Sequence, residues 1–412
     1  MKLRTTLLAL CAVTLAVHAA KKPGDDTSNP LYKDVAVSLT PNTTGKPPKA
    51  VFIHPGVLVN RAQLDEIKRR VAAGIEPQKS AFEAMKASKW AALDYTPHPR
   101  ATVECGSNSN PDYGCKDEQN DSEAAYTQAL LWYITGNKAY AANAIKILDA
   151  WSTTLTGGHT NNNGQVQASW TGDVFPRAAE IIRFSNAGWS DEAVVRFQNM
   201  LTTQFLPALI HGTCENGNKE LTQSEAVINI GVFTDNRAVF DHGVRMWRGR
   251  APAYIYLKSD GAKPIEPPGC GPAIWGNKGY TPELVEGLLQ ETARDSNHAN
   301  MALAGMVDAA ETARQQGLDL YAEQGKRIMA AMEYQAQFLK PNGGTPPEKL
   351  EFNLHPTWEI AYNHFHDRMG NELPKMAKVI AVNRPTGVNH HMVWETLTHG
   401  GMGAIGLPPV KK

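Results

Sequence analysis

The chain has 412 residues, with 41 Lys+Arg set against 41 Asp+Glu, 42% hydrophobic and 20% charged residues. This composition excludes a disordered polymer, and a zero formal charge excludes a protein that wraps nucleic acid through a global basic field. An anionic ligand would have to be met by a local group of cations, on one large domain or on two to three smaller ones.

In chain order, Lys2 and Arg4 precede an apolar stretch from Thr6 to Val17 and the small residues Ala19-Ala20, the pattern of a secretory signal over residues 1–20. No other stretch has the length and apolarity of a membrane span, so the expected mature protein is soluble and periplasmic or secreted. Residues 21–50, rich in Pro, Lys, Thr and Asn, read as a leader, and 51–412 as a single domain. Loss of Cys11 with the signal leaves Cys105, Cys115, Cys214 and Cys270, which in an exported chain read as two disulfides. The expected pairs are Cys105–Cys115, across a short polar loop, and Cys214–Cys270.

From Asn60, a candidate N-cap, Leu64, Ile67 and Val71 recur at helical spacing. Helical patterns follow over Ala81–Leu93, Asp121–Ile134, Lys138–Leu155, Asp173–Phe184, Ser190–Leu209, Glu220–Phe233 and Arg237–Leu257. They continue over Pro282–Ala293, Asn297–Gln316, Leu318–Leu339, Pro356–Gly370, Leu373–Val382 and His391–Thr398. About fourteen helices with short turns and few strands give an all-α chain. In such a chain helical hairpins close into an (α/α) toroid of about six to seven pairs or pack as an irregular bundle. The absence of a strict repeat disfavours a solenoid. Two long breaks, 95–120 and 258–280, each hold a cysteine and are candidate functional loops.

Four clusters could carry chemistry. In the first, Glu291, Arg294 and His298 fall on one face if the segment is helical, placing a guanidinium beside an imidazole; a salt-bridged surface face is the plain alternative. In the second, Glu359, Tyr362 and His366 share a face and His364 points elsewhere. Six of the thirteen histidines lie between 355 and 399, including His390-His391, but no closed metal-ligand set is formed. In the third, Asn218 stands in a polar turn opening a helix, as an N-cap or as an amide aimed at a substrate carboxylate. In the fourth, the amide-rich stretch from Gly157 through His159 and Gln165 to Trp170 and Arg177 has the make-up of a sugar-binding surface or of a plain surface loop. No G-x-S-x-G elbow and no P-loop is present.

The segments Asp121–Trp151, Gly217–Trp247 and Gln290–Tyr321, with His54-Pro55-Gly56-Val57-Leu58 and Trp358–His366, resemble the alginate lyase superfamily over residues 51 to 405. The likeness is nearest to the uronan lyases grouped as polysaccharide lyase family 38. The resemblance implies an (α/α) toroid and metal-independent β-elimination of a β-1,4-linked uronic acid polymer, alginate or glucuronan, with no cofactor. It implies Asn218, Arg294 and, if protonated, Glu291 as groups that offset the C6 carboxylate charge, His298 as the base at C5 and Tyr362 as the acid at O4, or for a syn elimination Tyr362 as both with His298 assisting. His159, Gln165, Trp170, Arg177, His364 and His366 are further substrate-binding candidates. Relatives often carry Asn-Asn-His or Asn-Trp in the central motif, whereas here Lys219 follows Asn218. The competing expectations are a glycoside hydrolase using two carboxylates on an acidic polysaccharide, and a uronan-binding protein without activity.

Overall fold

The computed structural model describes residues 37–411, so the expected signal and the start of the leader lie outside the described residues. Asn60 caps α1 (Arg61–Ala73) by accepting the Gln63 N–H at 2.8 Å, and Gly74, at φ 68°, ends it. Helix α2 (Gln78–Lys86) follows, then α3 (Cys115–Thr135) and α4 (Lys138–Thr154), a hairpin closed by Gly136 and capped by Asn137. The ring continues through α5 (Gly164–Arg183), α6 (Asp191–Met200), the short α7 (Leu206–Leu209), α8 (Gly217–Phe233) and α9 (Arg237–Arg250). It closes with α10 (Ser296–Gln315), α11 (Tyr321–Ala336), α12 (Glu359–Tyr362), α13 (Pro374–Asn383) and α14 (Glu395–His399). The architecture is the (α/α) toroid.

Burial separates its two layers. Helix α8 buries every residue except Lys219, whereas its neighbour α9 buries one face and leaves charged residues outside. Helices α3, α5, α8 and α10 form the inner layer and pack side by side. Because each is followed by an outer helix running back, the inner helices are parallel. Gln167 donates to the Cys115 carbonyl at 3.0 Å, and Ser169 bonds Thr222 at 2.9 Å, so the early turns of α3, α5 and α8 lie together. Gly305 of α10 lies against Thr222, where a Cβ would come within 2.9 Å of the backbone nitrogen, so only glycine allows this approach. All four inner N-termini therefore open on one end of the toroid.

The inner layer is polar at its centre. Arg177, fully buried on α5, donates to Glu225 of α8, to Asp308 of α10 at 3.0 Å and to the His391 carbonyl at 2.9 Å. Asp173 adds a third carboxyl, 3.7 Å from the guanidinium. Burial pushes Asp173, Glu225 and Asp308 well above the usual carboxylate range, against the lowering pull of the Arg177 guanidinium.

Short strands sit at the N-terminal end of the ring. Strand β1 (Val103–Cys105) pairs antiparallel with β2 (Asp112–Tyr113) and parallel with β3 (His159–Thr160), and Cys105 is bonded to Cys115. A hairpin of β4 (Val388–Asn389) and β5 (Met392–Val393) carries His390 at its tip. The second disulfide, Cys214–Cys270, ties the long segment before α10 to the entry of α8. Arg250 reinforces that tie, since its buried guanidinium bonds Glu220 at 2.5 Å and the Pro268 carbonyl at 2.8 Å. Both expected cysteine pairs are present.

Several boundaries differ from expectation. Pro282–Ala293 is not helical: Gly287, at φ 83°, turns the chain against the Ala330 carbonyl, and Ile255 pairs with Leu289 as an isolated bridge. Its periodic leucines are buried as a loop, Leu288 against Trp275 and Tyr334. Helix α5 begins at Gly164, so Trp170 and Arg177 stand on a helix rather than in a sugar-binding loop. Helix α3 likewise begins at Cys115, shortening the first break.

The entry segment is clamped by His54. Its imidazole lies 2.9 Å from Glu180 and 2.9 Å from Asp235, and stacks on Phe184. Burial alone would lower its pKa, but the two carboxylates outweigh that and raise it to about 9. A folded-state pKa above the ordinary 6.5 means the clamp stabilises fully below that value and is lost as pH rises through about 9. The contribution is on the order of 3 kcal/mol. In urea melts at about pH 6 and about pH 9.5, the His54→Gln variant should show a much smaller drop than the parent; equal drops would refute the clamp. Removing Cys214–Cys270 by paired Ser substitutions should cost about 4 kcal/mol for that loop length. It should also make residues 261–281 the first site of proteolytic cleavage, with helical circular dichroism retained.

Candidate active site

The open end of the toroid is lined by side chains from three inner helices and the segment preceding α10. The entry of α8 is capped in trans: the Gly217 N–H donates to Gln290 Oε1 at 3.0 Å and the Asn218 N–H to Glu291 Oε2 at 2.8 Å. The N-cap proper is Asn216, accepting from Lys219 N, so Asn218 is not the cap and its side chain is free for another role. Asn218 is almost fully buried, and its Oδ1 has no hydrogen-bond partner among the described residues.

Glu291 uses its second oxygen to hold Arg294, with Nη1 at 3.0 Å. Burial raises the Glu291 carboxyl, against the lowering effects of the Asn218 N–H, His298 and Arg294. The contact expected between Glu291 and Arg294 is made, but not on a helical face. Both residues precede α10, which begins at Ser296, and a tight turn brings them together. Arg294 keeps 42% of its side chain exposed, against 2% for Glu291, so the guanidinium projects from a buried anchor.

Asp295 caps α10 through the His298 N–H at 2.9 Å and also meets His298 Nδ1 at 2.7 Å. Burial would raise the Asp295 carboxyl, but its bonds to His298 bring it down to about 2. The carboxylate fixes the ring with Nδ1 inward, and among the described residues Nε2 has no hydrogen-bond partner. A pocket of about 380 Å³ is bounded by Asn216, Ile274, Glu291 and Arg294, and one of about 310 Å³ by Lys278, Tyr280, Arg294, Asp295 and Lys349. They adjoin at Asn277 and Arg294, forming one cleft with Arg294 midway. Among the described residues no group of three or more His, Cys, Asp or Glu side chains is set to hold a metal ion.

The other sequence candidates are dispersed. Trp170 is half-buried at the same end, with an unpartnered indole N–H, and Gln165 is exposed on the first turn of α5. His159 is internal, its Nε2 2.9 Å from Glu118. Arg177 is the core hub and has no exposed surface. His364 stacks on Tyr321 at 3.7 Å, and burial lowers it to about 4. Tyr362 stacks on His366 at 4.5 Å; burial raises its hydroxyl, and the charges acting on it are Asp367, Arg384, Glu359 and Glu333, none from the Arg294 cleft. Asp295, Tyr280 and Lys349 line the cleft and were missed in sequence, although Asp295 stands inside the very stretch that drew attention to Arg294 and His298.

Comparison with known proteins agrees with this architecture. A variant of alginate lyase A1-III complexed with a tetrasaccharide superposes with a TM-score of 0.54 at 16% identity, over 84% of this chain and 98% of that one. An alginate lyase from Bacteroides ovatus gives 0.53 at 15% identity, over 83% and 99%. Alginate lyase A1-III from Sphingomonas species A1 gives 0.53 at 17%, over 79% and 92%. No curated protein is matched by the sequence. Residues 71–345, more than half of the chain, match the alginate lyase family, and the chain belongs to that family of polysaccharide lyases.

Proposed function

We propose that the protein cleaves a β-1,4-linked uronic acid polymer, alginate or glucuronan, by β-elimination, in the manner of the family 38 uronan lyases. The observation that carries this reading is the exposed guanidinium of Arg294 in the cleft, with Asp295 3.9 Å from its Nε and holding His298 behind it. The C5 hydrogen of a uronate is weakly acidic because its removal places further negative charge next to the C6 carboxylate. A cation and amide donors on that carboxylate stabilise the enolate-like transition state more than the ground state. Arg294, steered by Glu291, supplies the cation, and the Asn218 amide the neutral contact. His298 Nε2 exchanges a proton with the reacting sugar, and Asp295 stabilises the charge the ring bears.

The parallel inner helices add to this, since the positive ends of their dipoles meet at the same opening. Lys278 and Lys349 flank the cleft, so a neutral chain presents cations where a polyanion would lie. Of the cleft carboxylates, Glu291, Asp295 and Glu215 are paired with Arg294, His298 and Lys219, and Glu351 lies across from them, whereas a hydrolase needs two free carboxyls as acid and base.

Elimination leaves a C4=C5 double bond conjugated to the carboxylate. Purified protein on polymannuronate, polyguluronate and glucuronan should therefore raise absorbance near 235 nm on at least one polymer. New reducing ends without that absorbance would overturn the reading in favour of hydrolysis. On the active polymer, Arg294→Ala should lower kcat/KM by about 100-fold or more, with Arg294→Lys recovering part, as expected for a removed transition-state contact of about 3 kcal/mol.

A further inference from the structure

A second imidazole enters the same end of the toroid from the far end of the chain. His390 occupies the tip of the β4–β5 hairpin in the left-handed backbone region, φ 54°. Two anchors hold that tip. The His391 carbonyl accepts from the buried Arg177 at 2.9 Å, and Asn389 Nδ2 donates to Asn297 Oδ1 at 2.8 Å, one residue from His298. The His390 ring also packs edge-on against Trp170, with 4.4 Å between centroids. Its position is therefore fixed from α5 and α10 together.

Its tautomer is fixed as well. Asn389 Oδ1 lies 2.6 Å from His390 Nδ1. An amide oxygen only accepts, so Nδ1 carries the hydrogen and Nε2 the lone pair. Among the described residues that Nε2 has no hydrogen-bond partner, and His390 is only half-buried. His298 is built in the same sense, with Nδ1 held, but its support is the Asp295 carboxylate. His390 has a neutral amide at its back. Burial first, then Lys116 of α3 and His298 of α10, lower its pKa to about 4, so the free ring is neutral at ordinary pH. An imidazole backed by a carboxylate and, at the same end of the toroid, one backed by a neutral amide have the layout of an acid–base pair.

We propose that His390 is a catalytic residue of the elimination, taking the C5 proton at Nε2 while the His298 imidazolium gives its proton to the departing O4. This rests on the lyase reading above, and it moves the base from His298 to His390. The C5–H electron pair becomes the C4=C5 double bond, and the C4–O4 bond breaks with its pair going to oxygen. The His298 proton neutralises that oxygen, leaving His390 cationic and His298 neutral. Return of one proton from His390 to His298 through solvent restores the starting state. Asn389 is a positioning residue, holding the tautomer that base action requires.

The test is kinetic, on the polymer the parent protein degrades, with His390→Ala and Asn389→Ala. His390→Ala should lower kcat by about 100-fold or more with KM within about threefold, the range expected for a lost general base. Added imidazole should restore part of that rate, more so at higher pH where the free base predominates. Asn389→Ala should lower kcat by about tenfold without a change in melting temperature. Retention of kcat in His390→Ala, loss confined to KM, or loss that imidazole does not restore would overturn the proposal. Failure of the parent protein to raise 235 nm absorbance on any uronan would sink the lyase reading itself, and it is seen before any variant is made.

Discussion

The arrangement depends on one buried guanidinium. Arg177 reaches from α5 to α8 and α10 and to the chain at His391, so a single side chain fixes three inner helices and a C-terminal hairpin to one another. Burying one cation among three carboxyls is costly unless the charges balance, and the raised proton affinity of Asp173, Glu225 and Asp308 limits the negative charge set against the single guanidinium. A hub of this kind fixes geometry more than it adds stability, because an apolar replacement would pack without specifying which helix faces which. Here the specified geometry is the parallel inner layer and the placement of the hairpin tip beside Trp170.

The cleft follows from that layer. Parallel inner helices leave their unsatisfied N–H groups at one end, and the chain uses those groups structurally before it uses them for a ligand. At α8 the first two N–H groups are taken by Gln290 and Glu291, which places a buried carboxylate behind Arg294. At α10 the cap is Asp295, and the same carboxylate orients His298. Helix capping and site construction are thus one set of contacts. A substitution at Glu291 or Asp295 would disturb a helix end and a cleft residue together, which is why the variants that separate chemistry from folding lie at Arg294 and His390.

Much of this was legible in the sequence where the signal is local. Helical hairpins such as α3–α4 announce themselves by period and by Gly136-Asn137, and the two cysteine pairs are those chosen from the three possible connectivities. The stretch from Glu291 to His298 stood out by composition, though its geometry was misread as a helical face. What was not legible depends on tertiary contact. Pro282–Ala293 has helical periodicity, but Gly287 and the bridge to Ile255 make it a buried loop. Arg177 sits in an amide-rich region that resembled a sugar-binding surface, and only the ring of acids from other helices takes it into the core. His390 carries no periodic or motif signal, because what matters about it is the hydrogen bond of Asn389 to a residue far off in sequence.

The same logic bears on the pH range in which such a protein works. His54 is held between carboxylates and is stabilising only while protonated; the core carboxyls around Arg177 hold their protons more tightly in the fold than in the unfolded chain. For those acids the folded state binds more protons than the unfolded chain once pH exceeds the ordinary carboxylate range, so stability falls as pH rises toward their raised values. Both groups therefore weaken the fold in the alkaline direction. Both act through residues that do not line the cleft, so the alkaline limit they set is one of folding.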